Sequence, residues 1–366
     1  MMSDEHDDVS VDMNDMNVRK PSVAEAKPQS ASKPVSIRDV AKLAGVSMQS
    51  VSRVANGSPS VSPQMRERVT RAMTELGYRP SRMARALRSG RTKIIGIMVE
   101  KLETAGSALM LESTMAAASR SGYGLTLLPA KTSDHQSLIS TSPFVASLNV
   151  DGIIANNGGA ICAELDELFP GLPVVSVGAV PNPSLDWSSV DMDQNLISAL
   201  AVEHLFGLGH KTVYHVGGMA GSGAAQYRAQ AWARLLREHG CAVPAFEYAG
   251  WWADDGYRAG LKLAEDPACT AVYCANDTLA VGVIKALRDR GLRVPEDVSV
   301  VGVDDSIGGY YAGNDLTTVR QRYDVAGEEL VRLLLDRING SDKPEHVLVG
   351  ADLIVRGTTA PYRPRA

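Results

Sequence analysis

The 366-residue chain has few cysteines, few aromatic residues and no long apolar run. Four cysteines are too sparse for a disulfide framework and favour a reducing cytoplasm. No apolar stretch approaches the ~20 residues of a membrane helix, and the first twenty residues lack the apolar core of a signal peptide. Nucleophile elbows, P-loop lysines and metal-ligand spacings are also missing. We therefore expect a cytoplasmic protein that is not an enzyme, with no cofactor, no metal and no membrane partner.

The net charge of −5 conceals an uneven distribution along the chain. Residues 36–93 carry +9, whereas residues 1–35 carry −3 and residues 94–366 carry −11. A short basic segment on an acidic body predicts a small module that binds a polyanion, although a solvated basic surface would have the same charge. Residues 1–34 show no hydrophobic period and are predicted to be a disordered tail.

The basic segment contains the start and stop signals of three successive helices. Ser36, with Asp39 three residues later, is typical of a helix N-cap, and Gly45 ends that helix. Ser47 begins a second helix, and the Ser-Pro pair at 62–63 begins a third. Two short helices joined by a glycine turn form a helix-turn-helix, whose second helix lies in the major groove of DNA. A helical hairpin with a polar surface is the alternative.

The outward side chains of the second helix have the chemistry of base readout. Glutamine pairs bidentately with adenine and arginine with guanine, each worth ~1–3 kcal/mol of discrimination, and methionine can contact a thymine methyl group. Ser47 and Asn56, at the two ends of the helix, are better placed for phosphates. The predicted base-reading residues are Met48, Gln49, Ser50 and Arg53.

The stretch VSIRDVAKLAGVSMQSVSRVANG at 35–57 resembles the headpiece of the LacI/GalR family of bacterial transcription regulators, and LGYRPSRMARAL at 76–87 resembles that family's hinge. The resemblance extends over residues 35–360. It implies that hinge helices from two subunits pair in the minor groove, where Leu87 wedges open the central base step. Packing of Leu87 on the body of the protein is the alternative. The resemblance assigns further hinge contacts with DNA to Arg82, Ala84 and Arg85.

After residue 93, strand-like runs alternate with helical patterns, which predicts parallel sheets covered by helices. The family resemblance implies a periplasmic-binding-protein-like α/β core of two lobes with a cleft between them. The expected fold is thus an all-α helix-turn-helix headpiece followed by this core. The predicted organisation is a tail at 1–34, a headpiece at 35–80, a hinge helix and linker at 81–92, and a core at 93–360, with lobe 1 at about 93–209 and 322–344 and lobe 2 at about 210–321 and 345–360.

Several polar motifs follow the predicted strands and match landmarks of the family's core. These are AND at 275–277, VGVDD at 301–305, LTTVRQ at 316–321, and an arginine four residues before Trp232. Asp277 and Asp305 are predicted to be helix caps. The resemblance implies that the cleft is lined by Arg228, Asn276, Asp304 and Gln321, with Asp193 as a further candidate and either Trp251 or Trp252 stacked on the ligand. Asn276 and Asp304 could instead be structural turn residues.

Arginine and carboxylate groups can each pair with two vicinal hydroxyls, which suits a sugar. The most concrete prediction is a homodimeric repressor of carbohydrate-use genes that a sugar releases from a pseudo-palindromic operator. A purine-type regulator that its ligand recruits to DNA is one alternative. A solute-binding protein without a regulatory role is another, but it would need a signal peptide and no headpiece. The absence of leucine heptads after residue 359 favours a dimer over a tetramer.

Overall fold

The structure is a computed structural model, and its described residues fall into two units, residues 1–84 and 85–366. The predicted tail at 1–34 and most of the predicted hinge lie outside the described residues. The described residues are 35–80, 86, 90–99, 102–129, 143, 147–156, 167–168, 170–178, 187–307 and 315–364. Within these ranges no helix combines the length and apolar character needed to cross a membrane.

The described part of the first unit, residues 35–80, is a bundle of three helices, which confirms the three predicted from the sequence. Its helices are α1 (Ile37–Ala44), α2 (Met48–Ala55) and α3 (Pro63–Glu75). The backbone N–H of Ser36 donates to the Asp39 carboxylate at 2.9 Å, so the predicted cap begins α1. Gly45 has a φ of 61°, which glycine adopts without the strain that a side chain would add.

Apolar side chains hold the three helices of the headpiece together. Val40, Val51 and Val69, one from each helix, have no exposed surface. Removal of each such side chain from water stabilises the bundle by roughly 1.5–3 kcal/mol. The opposite faces of the helices remain exposed and are mostly polar, as the helical spacing of the apolar residues predicts.

The second unit is an α/β core, numbered here in chain order. Its helices are α4 (Ala105–Arg120), α5 (Gln194–Gly207), α6 (Gly223–Glu238), α7 (Ala253–Ala264), α8 (Asp277–Asp289) and α9 (Tyr323–Ile338). Its strands are β1 (Ile94–Val99), β2 (Gly124–Pro129), β3 (Gly152–Asn156), β4 (Val174–Val177), β5 (Ser188–Met192), β6 (Tyr214–Val216), β7 (Ala271–Cys274), β8 (Ser299–Val303), β9 (Thr317–Gln321), β10 (His346–Val349) and β11 (Ala351–Ile354).

These strands form two sheets, which define two lobes. Lobe 1 has six parallel strands in the order β10-β5-β4-β3-β1-β2. Lobe 2 has five strands in the order β11-β9-β8-β7-β6, of which only β11 runs antiparallel. Every residue of β7 and β8 is buried, as expected for inner strands of a parallel sheet with helices on both faces.

The predicted lobe boundaries were wrong for two elements. Residues 194–207 (α5) were assigned to lobe 1, but α5 packs on α6 and on the strands of lobe 2, because that is where its apolar face finds partners. Residues 346–349 (β10) were assigned to lobe 2, but β10 pairs with β5 of lobe 1. The chain therefore crosses between the lobes at Asp193, Arg322 and Gly350.

Candidate DNA-binding and effector sites

Helix α2 presents an exposed face on the side away from the headpiece core. Met48 is 48% exposed, and Gln49 and Arg53 are exposed as well, as required of side chains that contact bases. The Oγ of Ser47 accepts a hydrogen bond from the backbone N–H of Ser50 at 3.1 Å, and the two hydroxyl oxygens lie 3.0 Å apart. Both serines therefore stabilise the first turn of the helix.

The predicted DNA contacts of Asn56 and of the hinge stay predictions. The Nδ2 of Asn56 donates to the Ser52 carbonyl at 2.6 Å, so this side chain closes the last turn of α2. A phosphate contact by Asn56 stays a prediction. The predicted hinge residues Arg82, Ala84, Arg85 and Leu87 lie outside the described residues, and their roles also stay predictions.

Arg228 of α6 is almost completely buried and joins two parts of the core. Its Nε donates to the Oε1 of Gln194 at 2.8 Å, and its Nη1 donates to the Ala275 carbonyl. Gln194 is the first residue after a crossover between the lobes, and Ala275 directly follows β7. Arg228 therefore ties the crossover to the carboxyl-terminal edge of the lobe 2 sheet.

Asp304 and Gln321 lie at the ends of the neighbouring strands β8 and β9, where ligands of parallel sheets bind. Gln321 Nε2 donates to Asp304 Oδ1 at 2.5 Å, and the Tyr323 hydroxyl donates to the same oxygen at 3.0 Å. Burial raises the pKa of Asp304, and the charge of Arg228 opposes that rise. The Oε1 of Gln321 is buried and accepts no hydrogen bond from the part of the chain that the structure describes.

Asn276 connects α8 to the loop before α7. Its Oδ1 accepts from the Leu279 backbone N–H at 2.8 Å as the N-cap of α8, and its Nδ2 donates to the Trp251 carbonyl at 3.2 Å. The Trp251 ring lies directly against Gly218, where a Cβ would collide with it. Trp252 is 48% exposed. Of the two tryptophans, Trp251 is the one whose backbone Asn276 holds.

Asp193, a predicted cleft residue, caps a helix in the structure. Its Oδ1 accepts from the Leu196 backbone N–H at 2.9 Å, so it is the N-cap of α5. Its neighbour Gln194 makes the contact with Arg228 instead.

The predicted capping roles of Asp277 and Asp305 were wrong. Asn276 is the cap of α8, and the Asp277 carboxylate turns inward to the loop after β8. Asp305 begins no helix. It pairs with Arg320 at 2.6 Å and with Arg356 at 2.7 Å, which fixes the same loop to β9 and to the strand end near residue 356.

Three residues of the site were not predicted, namely Gln194, Tyr323 and Gly106. Gln194 and Tyr323 flank crossovers and lie within two residues of predicted positions. A Cβ on Gly106, at the start of α4, would stand 2.6 Å from the Tyr323 hydroxyl and 3.8 Å from Asp304 Oδ1. The two lobes therefore meet at the Asp304 carboxylate.

Family models match both units of the chain. The model for bacterial regulatory proteins of the lacI family matches residues 36–81, and the model for a periplasmic binding protein-like domain matches residues 202–359. The HTH-type transcriptional repressor PurR of Histophilus somni is 31% identical over 336 residues, which cover 87% of this chain and 97% of the relative. The chain belongs to the LacI family.

Other similar proteins align with most of this chain. The PurR repressor of Mannheimia succiniciproducens is 32% identical over 332 residues, 87% of this chain and 97% of the relative. The lac repressor dimer bound to operator and the anti-inducer ONPF is 27% identical, with a TM-score of 0.76, over 90% of this chain and all of that chain. The complex of the regulator CelR with cellobiose is 30% identical, with a TM-score of 0.65, over 88% and 99%.

Membership of the LacI family confirms the predicted fold class, a helical headpiece followed by a two-lobed α/β core. It also confirms that the chain is a DNA-binding regulatory protein and not an enzyme.

Replacement of Arg53 by alanine is expected to relax base preference at one operator position. The exposed guanidinium can pair bidentately with guanine, so its loss costs ~1–3 kcal/mol of discrimination. Anisotropy titrations of operator and mismatched operator, at one stated salt concentration, measure the ratio of affinities. Arg71→Ala is the matched control, because Arg71 pairs with Glu67 on α3. An unchanged ratio in Arg53→Ala would exclude Arg53 from base readout.

Proposed function

We propose that this chain is a cytoplasmic homodimeric repressor whose affinity for a pseudo-palindromic operator is set by a neutral small molecule bound where the lobes meet. The observation that carries the proposal is the buried pair Asp304 and Gln321, whose acceptor oxygens lie at a crossover between the lobes. An effector that donates to these oxygens can favour one angle between the lobes. Its differential affinity for the two states then shifts operator binding, typically by ~1–3 kcal/mol.

The charges around the pair favour a neutral effector. Asp304 is a carboxylate, and the nearby Arg228 already donates through Nε and Nη1 to protein groups. A phosphorylated ligand would bring a second negative charge close to Asp304, whereas N–H and O–H groups of a neutral ligand would supply the donors that the acceptor oxygens require.

A purine base acting as co-repressor is the first candidate for the effector. Relatives that are 31–32% identical over 87% of this chain are HTH-type transcriptional repressors named PurR, and we take a purine as the ligand that this name suggests. Ring N–H groups of a purine can donate to Asp304 and Gln321, and we propose that the purine stacks on Trp251, whose backbone carbonyl accepts from Asn276. This candidate takes precedence over the sugar inducer expected from the sequence.

A sugar inducer is the second candidate. One similar structure, which covers 88% of this chain, is the regulator CelR in complex with cellobiose. Vicinal hydroxyls would donate to the same two acceptors, and Trp251 could stack on the apolar face of a pyranose. The two candidates differ in sign: a co-repressor tightens operator binding, and an inducer weakens it.

The dimer is part of the proposal because a two-fold symmetric protein matches a pseudo-palindrome. The relative solved on operator is a lac repressor dimer.

The test is fluorescence anisotropy of the full chain on DNA from upstream of its own gene, at a fixed salt concentration. Hypoxanthine, guanine, cellobiose, monosaccharides and sugar phosphates are added in turn. Tighter binding with a purine supports the co-repressor, and release by a neutral sugar supports the inducer. A response to sugar phosphates alone, or operator binding that none of these compounds changes, would overturn the proposed neutral effector.

A further inference from the structure

Asp277 lies beneath the loop that carries Asp304, with no exposed surface. Its carboxylate accepts the backbone N–H of Ser306 at 2.7 Å and the Thr318 hydroxyl at 2.5 Å. The same Thr318 oxygen accepts the backbone N–H of Asp305 at 3.4 Å. Asp277 and Thr318 together therefore hold the two backbone amides that directly follow Asp304.

The backbone at this point needs such support. Asp304 has a φ of 108° and Asp305 a φ of 53°, so two consecutive residues with side chains lie in the left-handed region. Residues stay in this conformation only where their surroundings hold them there. The Asp277 carboxylate also packs closely against β8, since a Cβ on Gly302 would collide with it.

Several ionisable groups face Asp277. These are Asp304 and Asp305 from the loop after β8, Cys274 at the end of β7, and Tyr323 at the start of α9. Asp305 is paired with Arg320 and Arg356, and Asp304 is the neighbour whose charge acts most strongly on Asp277. Burial, and then the charge of Asp304, raise the pKa of Asp277 to about 7, against the opposing hydrogen bonds from Thr318 and Ser306.

We propose that Asp277 is a positioning residue for the effector site, which in its ionised form holds the loop so that the Asp304 carboxylate faces the effector. This inference rests on the proposed function, because Asp304 is there the group that meets the effector. An ionised carboxylate accepts from Ser306 and Thr318 at once. When Asp277 is protonated, one of its oxygens becomes a donor, and the bond with Thr318 must reverse or break.

Effector affinity should therefore rise between pH 6 and pH 8, as Asp277 becomes ionised. The variant that tests this is Asp277→Asn, which keeps the shape but replaces one acceptor oxygen with a donating NH₂ group. Calorimetry at pH 6 and pH 8, with hypoxanthine and with cellobiose as probes, measures the affinity of the full chain. We expect at least a ~10-fold loss of affinity at pH 8 for the probe that the wild type binds, and no rise from pH 6 to pH 8.

The matched control is Asp289→Asn, the same substitution at the exposed end of α8, where Lys285 pairs with the carboxylate. It should keep the wild-type affinity and pH profile. Thr318→Val removes the hydroxyl that bridges Asp277 and the Asp305 amide and should lower affinity as well, whereas Thr318→Ser keeps the hydroxyl and should restore it. If Asp277→Asn does not fold, the effector affinities of the two Thr318 variants test the positioning role instead.

Crystal structures of the ligand-free wild type and Asp277→Asn separate this inference from the proposed function. We expect the Asp304 carboxylate to leave the Gln321 amide and the Tyr323 hydroxyl in the variant while the rest of the core is unchanged. If the wild type binds neither probe, hypoxanthine and cellobiose are excluded as effectors, and the two structures still decide the role of Asp277. An Asp304 carboxylate in its wild-type place, or a variant with wild-type affinity and pH slope, would overturn the inference.

Discussion

Replacement of Arg228 by methionine is expected to abolish the response of operator binding to the effector. Methionine fills much of the same volume but donates to neither Gln194 nor the Ala275 carbonyl. The Asp304 carboxyl also loses the positive charge that opposes the rise of its pKa on burial, so its charged form becomes less favourable. The variant thus removes the hydrogen bonds that join the lobe crossover to the end of β7. It also disfavours the ionised form of Asp304, which is the proposed acceptor for the effector.

The size of this effect follows from the burial of the group. Truncation of one partner of a buried, hydrogen-bonded charge costs ~2–5 kcal/mol, which is a loss of affinity of about 30-fold or more. Anisotropy on operator with and without hypoxanthine or cellobiose measures the response, and circular dichroism checks the fold. Arg234→Met is the control, since Arg234 lies on the same helix and its guanidinium pairs at the surface with Glu238. If Arg228→Met responded as the wild type does, Arg228 would have no part in effector recognition.

The sequence predicts the apolar strands more directly than the strands that carry polar residues. β7 and β8 are short, mostly apolar runs buried on both faces, so their pattern indicates a parallel sheet directly. β5 and β9 contain Ser, Asp, Thr and Arg, so they lack the continuous apolar pattern of β7 and β8. They form because a neighbouring strand offers a complete set of backbone partners, which is a tertiary effect.

The sequence likewise predicts some residues of the candidate site and misses others. Arg228, Asp304 and Gln321 belong to motifs with fixed spacing, and the structure brings Asp304 and Gln321 into direct contact. The roles of Gln194 and Tyr323 depend on where the chain crosses between the lobes. No local pattern predicts that point, and the predicted lobe boundaries missed two elements beside the crossovers.

Replacement of Gly282 by alanine is expected to destabilise the core strongly. Helices α7 and α8 cross at Gly256 and Gly282, and a Cβ at either position would collide with the backbone of the other helix. At Gly282 the colliding atoms are the Ala253 carbonyl oxygen and the Tyr257 nitrogen. Backbone atoms cannot rotate away as a side chain does, so the helices must separate. We expect a loss of about 3 kcal/mol in the free energy of unfolding, at the upper end for overpacking.

Urea unfolding followed by circular dichroism measures this loss, with Gly207→Ala as the matched control. Gly207 is also helical, but a Cβ there has open space around it, so alanine should leave stability unchanged or raise it by up to ~1 kcal/mol. The separated helices also carry the site, because Asn276 and Asp277 begin α8 and Trp251 precedes α7. Effector affinity should therefore fall along with stability in Gly282→Ala. If that variant unfolds within about 0.5 kcal/mol of the wild type, the close helix crossing described here is wrong.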